Sequence, residues 1–156
     1  MFRKMRRFKQ GLSAEKCAEI LQTEPRGVLA VLGDGGYPYT VPLDFVYADN
    51  KLFFHSAVEG HKVDAVLGNP KASFCVLSQG ELSDDGWSFF FDSVVVFGKV
   101  TIVDDERERA DKLRRLGLKY YPSEVEVDDE IRADMKRALL LQLEIEHMSG
   151  KRASEK

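Results

Sequence analysis

Four polar residues crowd one short stretch of this chain. They are His55, Ser56, His61 and Lys62, within Leu-Phe-Phe-His-Ser-Ala-Val-Glu-Gly-His-Lys-Val-Asp at Leu52–Asp64. An imidazole exchanges protons near neutral pH, and a hydroxyl and an ammonium both bind oxyanions. The apolar run into His55 reads as a strand. A turn follows, and a helix begins near Gly60, with His61 and Lys62 in its first turn. Unpaired N–H groups and the positive end of the dipole gather at such a start. The set predicts a compact anion site, most naturally for a phosphate. Each residue taken alone is more simply a solvated side chain at a strand end. Their crowding argues for a site.

The rest of the chain supplies elements to position them. Ser13 caps a first helix, Leu12 and Cys17 have the spacing of a hydrophobic staple, and Pro25 ends it. Gly27–Leu32 reads as a buried strand, Gly33–Gly36 as a hairpin turn, Pro38–Tyr47 as a returning strand and Lys51–Ser56 as a third. The Gly33–Gly36 stretch is too short for a dinucleotide fingerprint. After a short helix over His61–Leu67 come a strand over Lys71–Ser78 and a polar loop over Gln79–Ser88. A long strand over Phe89–Val103 follows, with a bulge or bend expected at Gly98. Asp104 is expected to cap a helix with an apolar stripe of Ala110, Leu113, Leu116 and Tyr120. Pro122–Asp128 reads as an acidic loop, about 129–139 as a helix, Leu140–His147 as a half-wet strand and 149–156 as a mobile tail. Hairpin-joined strands predict a mainly β domain with peripheral helices: a six-stranded antiparallel sheet curled into a barrel.

The chain has 156 residues, 44% hydrophobic and 31% charged, which predicts one folded domain. Its net charge of −3 argues against a general nucleic-acid binder. The exception is the basic cluster Arg3, Lys4, Arg6, Arg7 and Lys9, read as a solvated arm or as a contact for an anion or a neighbouring subunit. No apolar run reaches the ~18 residues of a membrane span, and charges interrupt the start where a signal peptide is apolar. Cys17 and Cys75 lie far apart in apolar segments and read as small core residues in a reducing compartment. The expectation is a cytoplasmic protein with no metal site, no nucleic-acid partner and no membrane partner.

Several motifs together resemble a known family. Gly27-Val28-Leu29-Ala30 comes first, then Gly36-Tyr37-Pro38-Tyr39-Thr40-Val41-Pro42-Leu43-Asp44-Phe45 and Phe54-His55-Ser56-Ala57-Val58-Glu59-Gly60-His61-Lys62-Val63-Asp64. Asn69-Pro70-Lys71 and Ser93-Val94-Val95-Val96-Phe97-Gly98 follow. In this order and spacing they resemble the NimA-like nitroimidazole-resistance proteins. These belong to the pyridoxamine 5′-phosphate oxidase-like, FMN-binding split-barrel superfamily. The resemblance implies a homodimer with FMN at the subunit interface. It places Tyr39, Thr40, Val41, Pro42 and Leu43 along the flavin ring, mostly through backbone groups. It places His55 and Ser56, with His61 and Lys62, on the phosphate side, and counts Ala57 with the cofactor-binding positions. Ser93 matches a strand position reaching the flavin of the partner. Pyridoxamine phosphate oxidases carry basic residues in the strand equivalent to Tyr39–Asp44 and again near Asp92. Here Tyr39, Asp44 and Asp92 stand instead, which speaks against a vitamin B6 phosphate as substrate. The run Phe89-Phe90-Phe91 replaces a more polar stretch.

Three functions stay open at this point. One is an oxidoreductase that uses FMN to reduce a small acceptor, such as a nitroaromatic. His55 or His61 is its candidate proton donor, and Trp87, Phe89 and Phe91 are candidate walls of an acceptor slot. The second is a flavin carrier or redox sensor without turnover. The third is a relative that holds haem or a deazaflavin. His147 reads as structural.

Overall fold

The computed structural model describes residues 2–134 and 137–153. Within these residues, nine strands and four helices follow in chain order. They are β1 (Gly11–Leu12), α1 (Ala14–Thr23), β2 (Arg26–Leu32), β3 (Pro38–Asp44), β4 (Val46–Ala48), β5 (Lys51–Ala57), α2 (His61–Gly68), β6 (Lys71–Leu77), β7 (Glu81–Leu82), β8 (Phe89–Ile102), α3 (Glu106–Tyr120), α4 (Glu124–Asp134) and β9 (Ala138–Ala153). All pairings are antiparallel, in the order β3-β2-β6-β8-β9-β5-β4, with β1 added on β9 and β7 on β8. The two ends of this path, β3 and β4, are separated in the chain by Phe45 alone. The sheet therefore curls round into a half-barrel. The expected six strands become nine because the returning strand breaks at Phe45 and two short pieces, β1 and β7, add to the edges.

Alternation decides what faces inward. Leu29 and Val31 of β2, Phe74 and Val76 of β6, Val94 and Val96 of β8 and Leu141 and Leu143 of β9 are buried in one core with Phe45, Phe54 and Leu21. Ser13 caps α1 by accepting from Lys16 N at 3.2 Å, and Cys17, Ile20 and Leu21 are its buried face. Asp49 and Asn50 both have positive φ, at 53° and 56°. Such a pair makes the primed turn that suits the β4–β5 hairpin. A register shift falls between Phe97 and Gly98, where the sequence predicts a bend.

Four expectations need correction. Asp105, not Asp104, caps α3, accepting from Glu108 N at 2.8 Å. The expected acidic loop 122–128 is mostly helix, because α4 starts at Glu124 with Ser123 Oγ accepting from Glu126 N; residues 135–136 of the predicted 129–139 helix lie outside the described residues. The expected tail is strand as far as Ala153, since Gly150 and Lys151 pair with Leu12 and Gly11 on one side and with Val94 and Ser93 on the other; residues 154–156 lie outside the described residues. Cys17 is in the core, but Cys75 stands on the outward row of β6, between Val28 and Val95.

Candidate functional site

The site grows out of the break at Phe45. β3 is paired only with β2, so its other edge is free among the described residues. β5 is paired with β9 throughout but with β4 only over Lys51–Phe53, which leaves Phe54–Ala57 free on that side. The two free edges diverge from the bend and present backbone N–H and C=O groups to a shared split. The break is held from outside. Tyr120 OH, at the end of α3, accepts from Phe45 N at 2.9 Å, and Lys119 Nζ donates to Phe45 O at 3.0 Å and Glu24 O at 2.8 Å. Tyr120 OH also donates to Pro25 O. The backbone of Phe45 is thereby satisfied without a strand partner.

α2 opens at one end of the split. Its cap, Gly60, sits at φ 125°, and no side chain caps the helix. Only glycine adopts that conformation readily. Val63 N and Asp64 N bond to Gly60 O. The N–H groups of His61 and Lys62 have no protein partner among the described residues, as is usual for first-turn donors. Lys62 is half-buried, its pKa is held below the usual lysine value by that burial, and no carboxylate pairs with it among the described residues. A half-buried ammonium with unbonded N–H groups beside it is built for an anion.

His61 is also engaged within the chain. Its ring stacks on Tyr39, centroids 4.1 Å apart and planes 19° from parallel. Its Nε2 accepts from Asp34 N at 3.4 Å and lies 3.7 Å from the Asp34 carboxylate. A Cβ at Gly33 would fall 2.8 Å from Tyr39 Cβ and 3.2 Å from His61 Nε2, so glycine permits the approach. His61 thus fastens the β2–β3 turn to the start of α2, and its Nε2 is committed. Gly33 and Asp34 read only as a hairpin turn in the sequence; the bond from Asp34 to His61 spans 27 positions and leaves no local signal.

The other predicted residues divide. His55 and Ala57 are exposed on β5, whereas Ser56 between them is buried and faces the core. His55 and Ser56 therefore cannot present side chains to one ligand from the same face. Thr40 and Pro42 point outward from β3, while Tyr39, Val41 and Leu43 are half-buried. Ser93 is not with them. Thr40, Ala30, Ser73 and Phe97 share one register row across β3, β2, β6 and β8. Ser93 lies four residues from that row, about 13 Å along β8, and Phe91 six residues, about 20 Å. Trp87 and Phe89 lie farther still, on the exposed β7–β8 hairpin, where Trp87 N donates to Asp85 Oδ1. One chain does not bring Ser93, Trp87, Phe89 or Phe91 to the α2 site.

A family model described as pyridoxamine 5′-phosphate oxidase matches residues 13–152. The chain belongs to the pyridoxamine 5′-phosphate oxidase family. No curated protein matches it. Among solved structures, a candidate 5-nitroimidazole antibiotic resistance protein from Bacteroides thetaiotaomicron is similar with a TM-score of 0.79. It shares 20% identity and covers 92% of this chain and 87% of its own. An FAD-binding protein from Mesorhizobium loti has a TM-score of 0.65 and 26% identity, over 92% of this chain and 96% of its own. An FAD and haem binding protein from Mycobacterium smegmatis has a TM-score of 0.76 and 23% identity, over 94% of this chain and 74% of its own. Family membership concerns ancestry and fold and does not carry the oxidase reaction to this chain. The three residues that depart from the oxidase pattern are engaged locally. Asp44 pairs with Arg26 at 2.8 Å, Tyr39 stacks on His61, and Asp92 lies 3.8 Å from Arg152.

Proposed function

We propose that this protein binds a flavin nucleotide, FMN, and serves as an oxidoreductase that uses it to reduce a small planar acceptor. The observation that carries this reading is Lys62, a half-buried ammonium without an ion-pair partner among the described residues. It stands in the first turn of α2, at the mouth of a split with two free strand edges. Lys62 and the first-turn N–H groups would hold the phosphate. The edge of Tyr39–Leu43 would bond the polar rim of the ring system, with Thr40 and His55 beside it. The residues present fit such a group, and the named flavin binding of the Mesorhizobium loti relative adds to the case. A bound flavin supplies the electron chemistry. This chain's residues bind, orient and exclude water. His55, exposed on β5 and without an ion-pair partner among the described residues, is the group free to hold or pass a proton.

The site reads as complete only in a homodimer. On the outward face of β2, β6 and β8, Val28 is 38% exposed, Leu32 46%, Leu77 56% and Phe97 38%. All four stand on the same face of these paired strands, where a second copy would cover them. A second copy seated there would bring Ser93 and the Phe89–Phe91 run toward the partner's split. The acceptor slot of Trp87, Phe89 and Phe91 belongs to that arrangement. The test is anaerobic. The protein is loaded with FMN, reduced chemically and mixed with a 5-nitroimidazole. Reoxidation faster than that of free reduced FMN supports the reading; a rate equal to free FMN leaves a flavin carrier.

A further inference from the structure

The grip on the Phe45 break contains an unbalanced charge. Lys119, in the last turn of α3, donates from Nζ to Phe45 O and Glu24 O and stands 4.0 Å from the centre of the Phe45 ring. The side chain is half-buried, and no carboxylate pairs with it among the described residues. Few charged groups face it. From β3 comes Asp44, already paired with Arg26 of β2 at 2.8 Å. From the end of α1 comes Glu24, whose carboxylate pulls weakly and whose carbonyl accepts the hydrogen bond. On α3 itself, Tyr120 is neutral, and burial pushes its phenol above the ordinary tyrosine value. Opposing effects meet at Lys119. The two carbonyls, the ring face and the carbonyl end of the helix favour the ammonium. Loss of water disfavours it. Burial is the larger effect, and the pKa falls to about 8. A local opening that returns Lys119 to water relieves that penalty.

We propose that the last turn of α3 is a pH-sensitive latch on the split, holding the Phe45 break firmly when Lys119 is neutral and letting go more readily when Lys119 is charged. Its leverage comes from where it grips. Phe45 alone separates β3 from β4, and the free edges of β3 and β5 diverge from that point. A neutral amine keeps two N–H donors, enough for Phe45 O and Glu24 O, so the closed form seen here survives deprotonation. Release would free the backbone of Phe45 from Lys119 and Tyr120 together and let the two edges spread. The opened form carries an ordinary lysine, so between about pH 8 and the ordinary lysine value it holds the extra proton. The latch therefore tightens as pH rises through that window, and below it the full penalty on the closed form is present. With a flavin in the split, the latch would govern how readily the ligand enters and leaves; that consequence alone rests on the flavin reading.

The experiment is nuclear magnetic resonance on ligand-stripped, full-length protein. The Phe45 N–H bonds to Tyr120 OH, so its hydrogen exchange reports the latch directly. Its protection factor, corrected for the intrinsic pH dependence of exchange, is expected to rise about tenfold from pH 7 to pH 9. The rise should follow the titration of the Lys119 Cε resonance, with a midpoint near 8. K119R keeps its charge across the whole range and should hold the pH 7 level throughout; K119M should lose the pH dependence. No rise in the wild type, or a rise shared equally by the central amides of β8, overturns the latch. So does a Lys119 midpoint at the ordinary lysine value. A rise that survives in K119R assigns the effect to another group, such as Lys62, and also overturns it. The wild-type measurements decide the matter even where a variant fails to fold. No flavin is present, so the latch is read whatever the split binds.

Discussion

Lys62 shows how one side chain can report the ligand. With the ammonium removed, Lys62→Ala is expected to weaken FMN at least tenfold and riboflavin less than threefold, measured by quenching of flavin fluorescence. Equal losses for the two ligands would take Lys62 out of the phosphate site. Burial holds the folded-state pKa of Lys62 below its unfolded value. Between the two values the unfolded chain holds the extra proton, so the stability of the ligand-free protein rises with pH across that window. FMN gives the ammonium an anionic partner and should flatten this rise, while its affinity should fall in the same alkaline range. Urea melts with and without FMN across the alkaline range measure both; parallel slopes would contradict the contact. The residue types of this site were legible in the sequence because chemistry is carried by type and spacing. Their directions were less so. Strand alternation points His55 and Ser56 apart, whereas the stack of His61 on Tyr39 joins α2 to β3 and exists only once the sheet has closed.

The elements matter because they shape an opening. Most strands were legible from apolar runs between turn residues, and the bulge from Gly98. The break at Phe45 was not, because its cause lies 75 positions away on α3, in Tyr120. Removing the hydroxyl leaves the Phe45 N–H without that partner, so Tyr120→Phe is expected to cost about 1–3 kcal/mol in chemical denaturation and to loosen flavin binding through the split. No stability change would mean the bend is held by the chain alone. Burial pushes the pKa of neighbouring Lys119 down to about 8, against the pull of Asp44 and Glu24. Other elements carry weaker local signals. Ser123-Glu124-Val125-Glu126 has the spacing of a capping box, and Ser123 does cap α4, yet its acidity suggested a loop. The polar residues of Ser149–Ala153 suggested a tail. A strand whose pairing is supplied by both neighbours, as here, needs little apolar character.

At the scale of the whole molecule, the question is what covers the outward face of β2, β6 and β8. Among the described residues no helix is long and apolar enough to cross a membrane, so these apolar side chains are not part of a helical span. In the proposed homodimer, a second copy would cover these side chains and would bring Ser93 to the partner's α2 site. If the proposed homodimer forms through this face, Val28→Glu with Leu77→Glu should convert it to monomer in sedimentation velocity runs and lower FMN affinity at least tenfold; monomeric wild-type protein that binds FMN fully would refute the shared site. The central claim is that the split and the start of α2 hold a flavin through its phosphate. The most direct measurement is the titration of ligand-stripped protein with FMN, beside riboflavin, followed by fluorescence quenching. The account predicts saturable binding of one FMN per chain, at least tenfold tighter than riboflavin. No saturable FMN binding, or riboflavin bound as tightly as FMN, would contradict it.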